Sequence, residues 1–171
     1  LSGTVRITSV ARRALAEARF DLVGLSATAA RDGDGGALVL RRDGDEVVVE
    51  LGSSLAPGAV FTLELDYAGT PSKGLYFRGD PVDHCFTHGA CNDARAWFPC
   101  VDHPGDRATS ELTVRMPLGW SAVAGGERVD ARDEGGLRVE HWRMDVPHPT
   151  YLTTLVAGEL TRVAEVWDGL G

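Results

Sequence analysis

The sequence predicts an all-β domain, either a sandwich or a curved multi-sheet structure. Three observations predict it. About ten short runs alternate apolar and polar residues, glycine-bearing turn sequences separate them, and only one short segment has a helix-like composition. No internal repeat, low-complexity linker or composition break divides the chain, so a single domain is expected over residues 1–171.

The elements follow in order. Residues 3–10, GTVRITSV, alternate loosely. Residues 11–19, ARRALAEAR, have high helix propensity but only one strong apolar residue, Leu15, so they are expected to form a partly extended connection. Residues 18–29 place Phe20, Leu22 and Leu25 among polar or small neighbours and read as a strand. Two further runs, 37–40 and 46–51, flank RRDGD, in which Asp43-Gly44 is a hairpin turn signal. Residues 61–67, FTLELDY, are a clear period-two strand with Phe61, Leu63, Leu65 and Tyr67 on one face. The pattern continues at 75–77, 111–116, 137–144 and 151–156. Turn sequences recur at 32–36, 56–58, 69–71, 103–106, 124–126 and 133–136.

Bulk properties narrow the function classes. A net charge of −8 argues against a nucleic-acid surface, which needs a basic stripe. No run of about eighteen apolar residues is present to span a membrane as a helix. The N-terminal LSGTVRITSV lacks the plan of a signal peptide. Three cysteines, an odd number, cannot form a complete disulfide framework in one chain, which points to a reduced, cytoplasmic setting.

Chemistry-bearing residues concentrate in 84–104, HCFTHGACNDARAWFPCVDHP, which holds all three cysteines and three of the five histidines. His88-x2-Cys91 and Cys100-x2-His103 have the spacing of a structural zinc site. The alternative is that Cys85 and Cys100 are small core fillers, since unpaired cysteine is among the most buried residue types. Asp93, Arg95 and Asp102 are candidates for a buried ion-pair network that fixes the segment. Hydrolytic motifs are missing: there is no H-E-x-x-H, no G-x-S-x-G and no phosphate-binding glycine loop. The stretch DGDGG at 32–36 lacks the terminal acidic ligand of a calcium loop and reads as a hairpin tip.

The same segment carries a resemblance. Residues 86–114 contain Thr87-His88, Ala94-Arg95, Phe98-Pro99-Cys100, Asp102, Pro104 and Arg107-Ala108 in order. Tyr67-x-Gly69 and Gly74-Leu75-Tyr76 precede them, and VPHPTYLTTLVAGEL follows at 146–160. This colinear set resembles the N-terminal domain of the aminopeptidase N family of zinc metallopeptidases. The resemblance implies a saddle-shaped, mostly antiparallel multi-sheet sandwich with Greek-key-like connections. It also implies a larger enzyme that removes N-terminal residues from peptides. That enzyme's zinc would be bound by a separate thermolysin-like domain, with none bound by this chain and no catalytic residue in it. The end of the chain at WDGLG is expected to lie where that domain would begin. In the family, the loop beginning at Thr-Gln helps hold the substrate's free amino end. Carried over, the substrate-binding residues are His88, Gly89 and Ala90. Both acceptor positions depart from the family pattern of Gln or Glu: Ala90 has no side-chain acceptor, and His88 accepts only when neutral. The remaining readings are a free-standing β-sandwich binding or scaffold module and the small structural-zinc domain.

Overall fold

Alternating burial runs through most strands of the computed structural model, which describes residues 1–161 and 163. The strands are β1 (Ser2–Val10), β2 (Leu15–Asp21), β3 (Ser26–Asp32), β4 (Leu40–Asp43), β5 (Glu46–Leu55), β6 (Val60–Ala68), β7 (Leu75–Gly79), β8 (Val82–Thr87), β9 (Ala108–Pro117), β10 (Ser121–Ala124), β11 (Glu127–Glu134), β12 (Leu137–His148) and β13 (Leu155–Gly158). Two short 3-10 turns, Ala94–Ala96 and Thr150–Leu152, are the only helical elements among the described residues. The expected all-β, antiparallel, multi-sheet architecture is therefore what the chain adopts. The expected chain end at 167–171 lies outside the described residues.

Four sheets form, ordered β1-β6-β3, β2-β5-β4, β11-β12-β9 and β10-β13-β8-β7, and every pairing is antiparallel. Tight turns set several registers. Gly44, at φ 59°, lies between Asp43 and Glu46, which pair directly across β4 and β5. Gly135 and Gly136, both at positive φ, connect β11 to β12 in the same way. Such two-residue connections suit the twist of a hairpin.

The first two sheets share one core. Phe20, Val47, Val49, Leu63, Leu65 and Tyr67 are its larger members. Leu63 and Leu65 are almost fully enclosed, and burying such a side chain contributes roughly 1.5–3 kcal/mol. The other two sheets share a second core that includes Leu75, Cys85, Trp97, Met116 and Leu155. Phe98 packs against both cores. The segment around Phe98 is thus the seam between two sandwiches.

Two expectations change. Residues 15–21 are a strand, although their composition favours helix. Pairing with β5 buries Ala18 and Phe20 beside Val47 and Val49, and that burial outweighs local propensity. The run 18–29 is not one strand: it breaks after Asp21 and resumes at Ser26, with Gly24 at φ 73°. Leu22 and Leu25 remain in the core from within that break.

Candidate functional site

Strand β8 delivers the candidate loop. It ends at Thr87, whose hydroxyl is tied to β13: Leu155 N–H donates to Thr87 Oγ1 at 2.9 Å. His88, Gly89 and Ala90 follow directly, with His88 and Ala90 exposed and Gly89 half-buried. The structure therefore keeps the three predicted residues together at a surface loop.

The backbone of this loop is held from three sides. His88 N–H donates to Gly74 O at 2.9 Å, and Asp93 N–H donates to Gly89 O at 3.3 Å. Gly89 sits so close to Tyr151 that an added Cβ would lie 2.5 Å from the Tyr151 carbonyl oxygen. Gly74, at φ 78°, is tighter still: its Cβ would meet Asp93 O at 2.1 Å. Lys73, the only lysine of the chain, reaches Asp93 Oδ1 at 2.6 Å. The loop is thus an exposed tip on an anchored base. The side chains of 88–90 offer one imidazole and no carboxylate, so any further acceptor within these three residues is a backbone carbonyl.

Below the loop, Arg95 and Asp102 form the network expected from sequence, with one change of membership. Arg95 Nε and its backbone N–H both donate to Asp102 Oδ2, at 3.1 and 3.3 Å, and Arg95 Nη2 donates to Asp102 O at 2.9 Å. Thr150 Oγ1 donates to Asp102 Oδ1 at 2.7 Å. Asp93 takes no part, because Lys73 holds it. Its place belongs to Asp21, which lies 3.1 Å from Arg95 Nη1 and accepts from Asp102 N–H at 2.9 Å. Burial opposes the charge on Arg95, but the Asp102 hydrogen bond and the two carboxylates outweigh it and raise its pKa. Asp21 and Cys100 also pair through their backbones at 2.8 and 3.2 Å. These bonds join the end of β2 in the first sandwich to the seam. Sequence alone could not show Asp21 or Thr150, which lie far along the chain from the residues they bind.

The four zinc-ligand candidates do not come together. Among the described residues, no group of three or more His, Cys, Asp or Glu side chains is placed to hold a metal ion. Cys100 is buried at the seam, whereas Cys91 is exposed. His103 is engaged in its own turn, where Gly105 N–H donates to its Nδ1 at 3.0 Å. Burial pushes the Cys100 thiol pKa far up, and the nearby charges of Asp102 and Asp21 add to the effect. A thiol so disposed is a poor source of the thiolate a metal requires. Cys85 is also buried and also raised, chiefly by burial. The core-filler reading of Cys85 and Cys100 is the one the structure supports.

The cysteines give a direct check. In the native protein, a disulfide reagent at neutral pH should modify one thiol, Cys91, rapidly. The other two should react only on unfolding. Rapid modification of all three would contradict the burial of Cys85 and Cys100.

Comparison with known proteins assigns the family. The model of the Peptidase M1 N-terminal domain matches residues 5–152. The mouse (Mus musculus) protein Aminopeptidase RNPEPL1 is 30% identical over 125 residues, covering 68% of this chain and 17% of that protein. A probable M1 family aminopeptidase of Encephalitozoon cuniculi is 31% identical over 121 residues, covering 68% of this chain and 14% of that protein. Among solved structures, a mutant of the M1 zinc metallopeptidase from Deinococcus radiodurans, bound to a Tyr-Ser-Ala substrate, superposes with a TM-score of 0.85. It is 31% identical and covers 92% of this chain and 37% of that one. The chain thus spans only a minor part of the length of each of these relatives. With the family model matching across both sandwiches and the seam between them, this chain belongs to the family of M1 peptidase N-terminal domains.

Proposed function

We propose that this chain, taken as one domain over residues 1–171, is the non-catalytic N-terminal domain of a zinc-dependent aminopeptidase. Its 88–90 loop would form one wall of the pocket for the substrate's free amino end. The observation that carries this reading is the loop itself. The resemblance assigns this role to His88, Gly89 and Ala90, and they lie at a tip whose base is fixed by Gly74, Asp93 and Tyr151, which supports the assignment. Fixed geometry is what a binding loop needs, because ordering a mobile one costs affinity.

The residues described do not fit a zinc ion. The zinc of the proposed enzyme would belong to another domain, and this chain would only shape the pocket beside it. The substrate class is peptides with a free α-ammonium group. A carboxylate is the strongest side-chain partner for that group. With Ala90 at one acceptor position, His88 and backbone carbonyls are left to hold it. The three unpaired cysteines support a reducing, cytoplasmic setting, and the net charge of −8 supports a partner other than nucleic acid.

The test uses the full-length polypeptide. Ala90→Glu should lower KM for aminoacyl-anilides roughly tenfold, since a hydrogen bond to a charged group is worth about 1.5–3 kcal/mol. His88→Ala should raise KM several-fold. Unchanged KM in both variants would rule the loop out of the amine pocket.

A further inference from the structure

The first sandwich is open at one end. Strand β6 pairs with β1 along its whole length, Val60 to Ala68, but with β3 only from Leu63 onward. β3 stops at Asp32, and the chain turns back through 33–36, where Gly35 N–H donates to Asp32 O at 3.1 Å. Where β3 leaves, an open groove of about 420 Å³ lies beside Val60, Phe61 and Thr62. Its apolar wall is formed by Leu38, Leu51, Leu55 and Phe61, all half-buried. Val60 stands at its side, 68% exposed, and pairs across the ladder with Val10, 58% exposed. A cleft of this size with an apolar wall and a few polar groups at its mouth has the form of a binding site.

The strand edge in this groove is free as well. Leu1 and Gly69 exchange both backbone bonds, and Ala11 N–H donates to Ala59 O. Bonded pairs alternate along an antiparallel ladder, so the odd-numbered residues of β6 bond to β1. Val60 therefore turns its N–H and C=O to the other side, where β3 has already ended. Neither group has a backbone partner among the described residues. The charge at the mouth is one-sided. Arg6 is neutralised by Glu64 at 2.6 Å. Asp32 is fixed in its turn, where Oδ1 accepts from the N–H groups of Asp34 and Gly36 at 3.0 and 2.7 Å. Asp32 and Asp34 both line the groove, and neither carboxylate has a cationic partner among the described residues.

We propose that this groove docks an extended segment of a partner protein in which apolar residues alternate with lysine or arginine. Its backbone takes up the free Val60 groups as an added strand, and its apolar side chains, on the face of Phe61, fill the space between Leu38, Leu51 and Leu55. Its cationic side chains meet Asp32 and Asp34 at the mouth. Charge favours this occupant over a second copy of the chain, which carries a net charge of −8 and whose only lysine is held by Asp93. All the lining residues lie between 6 and 63, so the groove belongs to the first sandwich and is separate from the 84–104 segment. A partner seated there leaves the 88–90 tip open, and the inference does not depend on the role of that tip.

The experiment titrates the full-length polypeptide into the fluorescein-labelled peptide Thr-Leu-Lys-Leu-Lys-Thr and follows anisotropy. Binding should be saturable in the micromolar range. The same peptide with its two lysine backbone nitrogens methylated cannot pair as a strand and should bind roughly tenfold more weakly. Thr-Leu-Glu-Leu-Glu-Thr should bind roughly fivefold more weakly or worse. Asp34→Lys, at an exposed turn position whose side chain makes no hydrogen bond, should reverse the preference between the lysine and glutamate peptides. Asp145→Lys makes the same charge change on β12 of the second sandwich and should leave the preference as it was. Equal binding of the lysine and glutamate peptides would overturn the proposal, as would equal binding of the methylated peptide or an unaltered preference in Asp34→Lys. Absence of saturable binding would overturn it too, and would assign the groove to another segment of the same polypeptide. The readout needs no peptidase activity, so its outcome is independent of the proposed function.

Discussion

Arg95→Ala is expected to lower the unfolding free energy by about 3 kcal/mol, the lower end of the cost of breaking a buried ion pair. The asymmetry of exposure sets the size. The Asp102 side chain is 2% exposed and the Arg95 side chain 25%. Removing the guanidinium leaves Asp102 buried with Thr150 and the Arg95 backbone N–H as its remaining donors. It also leaves Asp21 without its cationic partner. Urea denaturation would show the effect as a lower midpoint with an unchanged slope. Arg95→Lys should recover only part of the loss, because one ammonium cannot reproduce the fork that meets Asp102 twice and Asp21 once. A loss below about 1 kcal/mol for Arg95→Ala would place the network among ordinary surface pairs. The consequence would reach the first sandwich, since the Arg95 carbonyl also accepts from Val23 N–H at 2.8 Å across the seam.

Gly74→Ala is the second large effect. Two costs combine there. The backbone at φ 78° disfavours any side chain, at about 1–3 kcal/mol. The new Cβ would also stand 2.1 Å from the Asp93 carbonyl, a backbone atom that cannot swing aside alone. Gly44→Ala separates the two costs. Gly44 is also left-handed, at φ 59°, but an added Cβ there meets nothing within 4 Å. Gly44→Ala should therefore show the conformational cost alone, and Gly74→Ala clearly more. Hydrogen exchange should report where the excess goes: the His88 N–H, which donates to Gly74 O, and the Asp93 N–H should lose protection. Equal destabilisation by the two substitutions would mean that the approach of Gly74 to Asp93 carries no weight.

Much of the fold was legible because period-two alternation is a local property. Phe61, Leu63, Leu65 and Tyr67 share a face by pleat geometry alone, and three of them are buried in the first core. The turn at Asp43-Gly44 was legible for the same reason. Residues 15–21 were not, because alanine, arginine and glutamate favour helix in isolation, and only the valines of β5 supply the reason to extend. The candidate loop was legible as a contiguous motif. What anchors it was not: Tyr151, Gly74 and Lys73 reach it from other segments.

From the residues alone it follows that this protein is all-β, that 84–104 concentrates its cysteines and histidines, and that this segment resembles an M1 peptidase loop. Packing of the sheets set the burial and the partners of the residues in that segment. It buried Cys100 and exposed Cys91, which separated the spaced zinc ligands. It gave Asp93 to Lys73 and Asp21 to Arg95. The reason is physical. Alternation and turn chemistry act between neighbours in the chain, whereas burial, charge pairing and exposure depend on which distant segments the packed sheets bring into contact.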